Sequence, residues 1–114
     1  MYDTILFPVA PDGEGTDAIP HAESLASRYD ATVHVVSAVD TAADAFRGPR
    51  AGTFAERVES AAQDRVEAVT ATLEAAGVEA VGSVVRGRPV AVIRRTVDDV
   101  GADLIVMPSH ARSG

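Results

Sequence analysis

Four short apolar runs alternate along the chain with three longer stretches in which apolar residues recur every three or four positions, and this alternation restricts the fold more than any other feature. The first run, Thr4-Ile5-Leu6-Phe7-Pro8-Val9, is continuous, the pattern of a strand buried on both faces, and Ala10-Pro11-Asp12-Gly13 ends it in a turn. Thr32–Val39, Glu79–Arg86 and Asp103–Met107 are the other strand-like runs. Between the first two, Thr16 or Asp17 is placed to cap a helix whose apolar face is Ile19, Ala22, Ala26 and Tyr29, with Pro20 tolerated in its first turn. Thr53-Phe54-Ala55-Glu56 reads as a capping box that opens a second helix, with Val58, Ala62, Val66, Val69, Leu73 and Ala76 as its stripe and Gly77 as its stop. Gly87-Arg88-Pro89 puts proline where a third helix can begin, and Val90, Ile93, Val97 and Val100 carry its face to Gly101. The stretch from Asp40 to Arg50 holds turn formers without periodicity and reads as a surface loop.

Strands that alternate with helices pair in parallel through right-handed crossovers, so the expected fold class is α/β, an open doubly wound parallel sheet in one domain. A chain of 114 residues can bury one core and has no room for a second. In such sheets the loops at the carboxyl ends of the strands carry ligands, so chemistry is to be sought there.

The charge balance narrows the partners. Seventeen acids against ten bases leave a net charge of −7, which repels nucleic-acid phosphates and anionic membranes. No apolar run approaches the roughly 20 residues that cross a bilayer, and the start of the chain shows no export signal. Neither nucleic acid nor membrane is therefore an expected partner, and the expected location is cytoplasmic. All ten bases are arginine and alanine is abundant, a balance also produced by a high-GC genome but read here as that of a salt-loving archaeon. The absence of cysteine excludes a disulfide framework and thiolate metal ligation.

Ile5-Leu6-Phe7-Pro8-Val9, Gly87-Arg88-Pro89 and the closing Gly101-Ala102-Asp103-Leu104-Ile105-Val106-Met107-Pro108-Ser109-His110-Ala111-Arg112-Ser113-Gly114 together resemble the universal stress protein family, in order and over the whole chain. The resemblance implies a Rossmann-like sheet, similar to that of the adenine nucleotide alpha hydrolases, with strand order 3-2-1-4-5. This chain stops before the family's fifth strand and last helix, and is expected to be part of a longer protein with strand order 3-2-1-4. The family also implies a homodimer, since many members pair through the final strand.

Family members that bind ATP carry Gly-x2-Gly-x9-Gly-Ser/Thr after the fourth strand and an aspartate at the end of the first. Glycine lets the backbone approach phosphate, and its N–H groups donate to the oxygens. Here Pro108 stands at the first glycine position and has no N–H, Ala111 stands at the second, and Ala10 stands in place of the aspartate. The resemblance leaves Pro8, Val9, Ala10, Ala38, Met107, Pro108, Ser109, His110 and Arg112 as the residues of a degenerate nucleotide site, with Asp12 as a substitute carboxylate if it swings back. The expected function is a non-enzymatic stress-response binding or regulatory module. The alternative is a member that binds ATP or AMP and hydrolyses ATP slowly, using Asp12, Ser109 and Arg112.

Single residues admit competing readings. His110 either touches phosphate or stabilises a turn, and the turn is favoured because the sequence sets no carboxylate or nucleophile beside it. His21 and His34 lack metal-ligand spacing, so no metal site is assigned. Asp98-Asp99 reads as a solvated surface. Asp3, Asp12 and Asp40 invite comparison with a receiver domain, which also needs a lysine that this chain lacks. Ser109 and Ser113 sit in no nucleophile elbow, and a flavodoxin-like alternative is opposed by Ala10-Pro11-Asp12-Gly13 and by 4% aromatic residues. Arg47 and Arg50, in the loop from Asp40 to Gly52, either close over a ligand or decorate an exposed connection.

Overall fold

The computed structural model describes residues 3–13, 15–40 and 51–107, with the side chains of 51–54 outside the description. Strand β1 (Thr4–Pro8) is followed by a 3-10 turn (Thr16–Ala18), helix α1 (Ile19–Tyr29), β2 (Thr32–Val39), α2 (Ala51–Ala75), β3 (Ala80–Arg86), α3 (Pro89–Val100) and β4 (Leu104–Ile105). The strands form one sheet in the order β3-β2-β1-β4, and every pairing is parallel. Register follows from Ile5 opposite Val33 and Leu104, and from Val33 opposite Ala80. The expected 3-2-1-4 doubly wound sheet is the fold observed.

Handedness places the helices. The crossovers β1-α1-β2 and β2-α2-β3 advance in one direction, whereas β3-α3-β4 returns past β1, so right-handed connections set α3 on the opposite face. The core divides accordingly. Ile5, Phe7, Val9, Val33 and Val35 pack with Ala22, Ala26, Val66, Val69 and Leu73 from α1 and α2. Leu6 and Val36 point the other way and pack with Val92 of α3. Because β1 is central and covered on both faces, Ile5, Leu6 and Phe7 are all fully buried, which is why its sequence is a continuous apolar run.

Two glycines shape α2. At its end Val78 N–H donates to Leu73 O at 3.0 Å and Gly77 N–H to Glu74 O at 2.9 Å, a Schellman motif that Gly77 closes at φ +86°. Buried Val78 and Leu73 belong to the same cluster, so the stop is also held by packing. Along β3, Gly82 faces α2 so closely that a Cβ there would land on the Val66 side chain and stand 3.2 Å from Thr70 Cγ2.

Several boundaries differ from the sequence reading. Neither Thr16 nor Asp17 caps α1: both lie in the 3-10 turn, Thr16 Oγ1 donates to Gly13 O at 2.9 Å, and the N-cap is Ala18. The glycines at 13 and 15, both at positive φ, tighten the chain there before the α-helix can start. Helix α2 begins at Ala51, so Thr53 is inside the helix rather than at its cap, and Ala76 is exposed beyond its end. Helix α3 is rotated from the expected face: Val90 is 68% exposed, while Val92 and Thr96 are buried and Ile93 and Val97 flank them. Thr96 can face the core because its Oγ1 donates to Val92 O at 2.7 Å, which hides its polarity from the sheet. Strand β4 is two residues long rather than five, although Asp103 N–H and Val106 N–H extend the ladder to Thr4 O and Leu6 O, each at 2.9 Å. The remainder of the loop after Asp40, with Arg47 and Arg50, and the closing Pro108–Gly114 lie outside the described residues.

Candidate functional site

The sheet changes connection direction between β1 and β4, and the carboxyl ends of the strands leave a crevice at that point. Strand β1 delivers Pro8, with Val9 tied to β2 by its N–H to Val36 O at 2.9 Å. The chain then turns sharply through Ala10, Pro11, Asp12 and Gly13, closed by Gly13 N–H to Ala10 O at 2.9 Å. From below, Val36 and Ala38 rise from β2, and Met107 follows β4. Gly87, at φ +145°, swings the chain out of β3 so that Pro89 opens α3 beside the crevice. The backbone of Arg88 is extended, and Pro89 needs no N–H partner in the first turn.

These residues enclose a cavity of about 190 Å³ lined by Pro8, Val9, Ala10, Pro11, Val36, Ala38, Pro89, Val92, Ile93 and Met107. Every one of these side chains is apolar, so the described wall offers shape and dispersion contacts rather than acid–base or nucleophilic groups. Met107, 56% exposed, stands at the rim with an unbranched, adaptable side chain. Ala10 and Pro11 line the wall, while Asp12 is exposed and does not face the cavity.

The fold thus gathers Pro8, Val9, Ala10, Ala38 and Met107 of the sequence candidates around one cavity. Pro108, Ser109, His110 and Arg112 lie outside the described residues, as does Ser113. Sequence reasoning missed Pro11, Val36, Pro89, Val92 and Ile93. Pro89 carried a signal, since a proline that starts a helix straight after a strand puts the first helical turn at the carboxyl end of the sheet.

Other candidates are dispersed. Asp3 precedes β1 at the amino end of the sheet, whereas Asp12 and Asp40 follow β1 and β2 at the carboxyl end, so the three cannot share a receiver-type pocket. Asp103 Oδ2 accepts from the Asp3 and Thr4 N–H groups at 2.9 and 3.1 Å, and these bonds hold its carboxyl below the ordinary range. His21 is exposed on α1, and Asp98 and Asp99 are exposed on α3. His34 Nε2 lies 3.1 Å from Ser83 Oγ across β2 and β3, and burial pushes the imidazole below its usual value. That pair is structural, starting two residues into β2 and away from the carboxyl-end cavity. Arg86, at the end of β3, is engaged by Glu59 through Nε at 3.2 Å and a terminal nitrogen at 2.8 Å. Among the described residues no group of three metal-binding side chains assembles, and no helix is long and apolar enough to cross a membrane.

A family model described as the universal stress protein family matches residues 1–114. Among solved structures, a universal stress protein family member from Burkholderia pseudomallei superposes with a TM-score of 0.84 at 21% identity, over 96% of this chain and 83% of that one. The universal stress protein of Lactobacillus plantarum gives 0.78 at 18% identity, over 99% and 83% of the two chains. A universal stress protein in complex with cAMP gives 0.69 at 20% identity, over 93% and 75%. At these identities the likeness establishes the shared fold. No curated protein matches the chain.

Proposed function

Since this chain belongs to the universal stress protein family, we propose that it is a non-enzymatic binding and regulatory module of the stress response, acting as a single domain through the carboxyl-end cavity. The observation that carries this reading is the lining itself: ten apolar side chains at the switch point of the sheet, with Ala10 where a carboxylate would hold a ribose. The described walls bind a ligand and report its occupancy, and among the described residues no lining group moves a proton or stabilises a developing charge. Pro8, Val9, Ala10, Ala38 and Met107 form the described part of the site in this proposal, and Pro108, Ser109, His110 and Arg112 complete it. No metal is required. We place the module in the cytoplasm, as a homodimer.

A second reading is an adenine nucleotide site, which the relative solved with cAMP favours, extended to slow ATP hydrolysis if Asp12, Ser109 and Arg112 supply the lost positions. In it the base occupies the apolar cavity and Ser109, His110 and Arg112 meet the phosphates.

Calorimetric titration with ATP and with AMP, alongside an assay for released phosphate, separates the readings. Saturable binding that is lost in Ala38→Leu, which fills the cavity, and in Arg112→Ala, without phosphate release, establishes a nucleotide-responsive module. Turnover above the protein-free rate refutes the non-enzymatic role. Absence of binding in both the chain and its longest native form leaves a module that answers to another ligand or to a protein.

A further inference from the structure

On the α2 side of the β1–α1 turn a second cleft opens, of about 320 Å³, lined by Pro11, Ala61, Asp64 and Arg65. Pro11 lines this cleft and the apolar cavity alike, so the turn is a thin wall between them. Arg65 precedes buried Val66 on α2 and lays its guanidinium against Gly13: a Cβ at Gly13 would stand 2.8 Å from Arg65 Cζ and 2.9 Å from a terminal nitrogen. Gly13 is at φ +92°, so glycine supplies both the turn and the room for the cation.

Arg65 Nε is buried and has no hydrogen-bond partner among the described residues. Among the described residues nothing accepts from this donor on a permanent cation, and a planar carboxylate is the acceptor that matches the guanidinium fork. The neighbouring Asp64 opens into the same cleft and would repel a simple anion. A ligand with a carboxylate for Arg65 and a cationic donor for Asp64 satisfies both groups. Such a ligand is neutral overall and is not repelled by a protein of net charge −7. We propose that the cleft between the 10–13 turn and α2 binds a small zwitterion of the amino-acid class, its carboxylate on Arg65 and its ammonium on Asp64. This site is separate from the carboxyl-end cavity and does not depend on the function proposed for it.

The test is an NMR titration of the isotope-labelled chain at constant ionic strength, with glycine and with acetate as probes, following the Arg65 Nε–H and the Gly13 amide. Glycine is expected to give saturable shifts at both, with acetate binding about tenfold more weakly for want of the charge-assisted bond to Asp64. Arg65→Gln should abolish the response to glycine, and Asp64→Asn should lower it to that of acetate. Should Arg65→Gln disturb the spectrum elsewhere, Gly13→Ala supplies the same test by displacing the guanidinium. Shifts that fail to saturate, that survive in both Arg65→Gln and Gly13→Ala, or that are equal for glycine and acetate overturn the assignment.

Discussion

Gly82→Ala should destabilise the protein although alanine is the better strand residue by propensity. Removing the conformational freedom of glycine favours the variant by about 0.5–1 kcal/mol. Against that, the added methyl lands on the Val66 side chain and stands 3.2 Å from Thr70 Cγ2. Val66 is only 5% exposed and is held in the main core cluster, so it has little room to turn away. Thr70 is anchored by its hydroxyl bond to Val66 O at 3.0 Å, so the two move together. Overpacking of a closed core costs about 1–3 kcal/mol, and a methyl that lands on a side chain held in the core falls in the upper part of that range, about 2–2.5 kcal/mol, so a net loss of about 1–2 kcal/mol remains after the propensity gain. For a chain of 114 residues the unfolding entropy near the midpoint is about 0.24 kcal/mol/K, so the melting temperature should fall by about 4–8 °C. The mechanism predicts a partner effect as well. In a double-mutant cycle with Val66→Ala, which vacates the contested space, the Gly82→Ala cost should shrink by at least about 1 kcal/mol. Thermal and urea unfolding of the four proteins measures both quantities. An unchanged or raised melting temperature in Gly82→Ala, or additive losses in the double variant, would refute the idea that glycine is there to admit α2.

Gly101 ends α3 at φ +66° with nothing within 4 Å of an added Cβ, so Gly101→Ala isolates the backbone penalty and should cost about 1–2 kcal/mol in urea unfolding. Asp103 has its pKa lowered by the Asp3 and Thr4 N–H bonds from an unfolded value of 3.8, so its stabilisation is complete above that pH and is lost as pH falls through the lower folded value. Asp103→Asn should therefore lower the melting temperature near neutrality, with the gap to the parent narrowing in strong acid. Burial lowers the His34 pKa from 6.5, so the unfolded chain binds the proton more readily and stability should decline as pH falls below 6.5 toward the folded value. His34→Gln should flatten that part of the melting-temperature profile, and an unchanged slope would count against the burial of the ring.

Much of the fold was legible because local signals and the global pattern agreed. Strand β2 was bounded correctly by its β-branched run, Gly77 and Gly101 marked helix ends where positive φ is needed, and alternation of strand and helix implied parallel pairing. The misreadings occurred where one side chain had several uses. Thr16 looks like a cap but bonds backward to Gly13 O, Thr53 belongs to a capping-box pattern yet lies within a helix, and Thr96 looks polar yet is buried with its hydroxyl bonded to its own helix. The lining of the cavity was partly legible. Pro8, Val9, Ala10, Ala38 and Met107 came from the family pattern, whereas Val92 and Ile93 required the rotation of α3, which propensity does not encode.

The sequence by itself determined the order and type of the elements and the acidic surface, since each depends on hydropathy period, on turn chemistry or on charge count. Tertiary structure alone decided which apolar residues share a cavity, why β3 needs a glycine opposite Val66, and that an arginine on α2 meets the turn after β1. These are contacts between segments far apart in the chain, and they follow from the packing of whole elements rather than from any local signal.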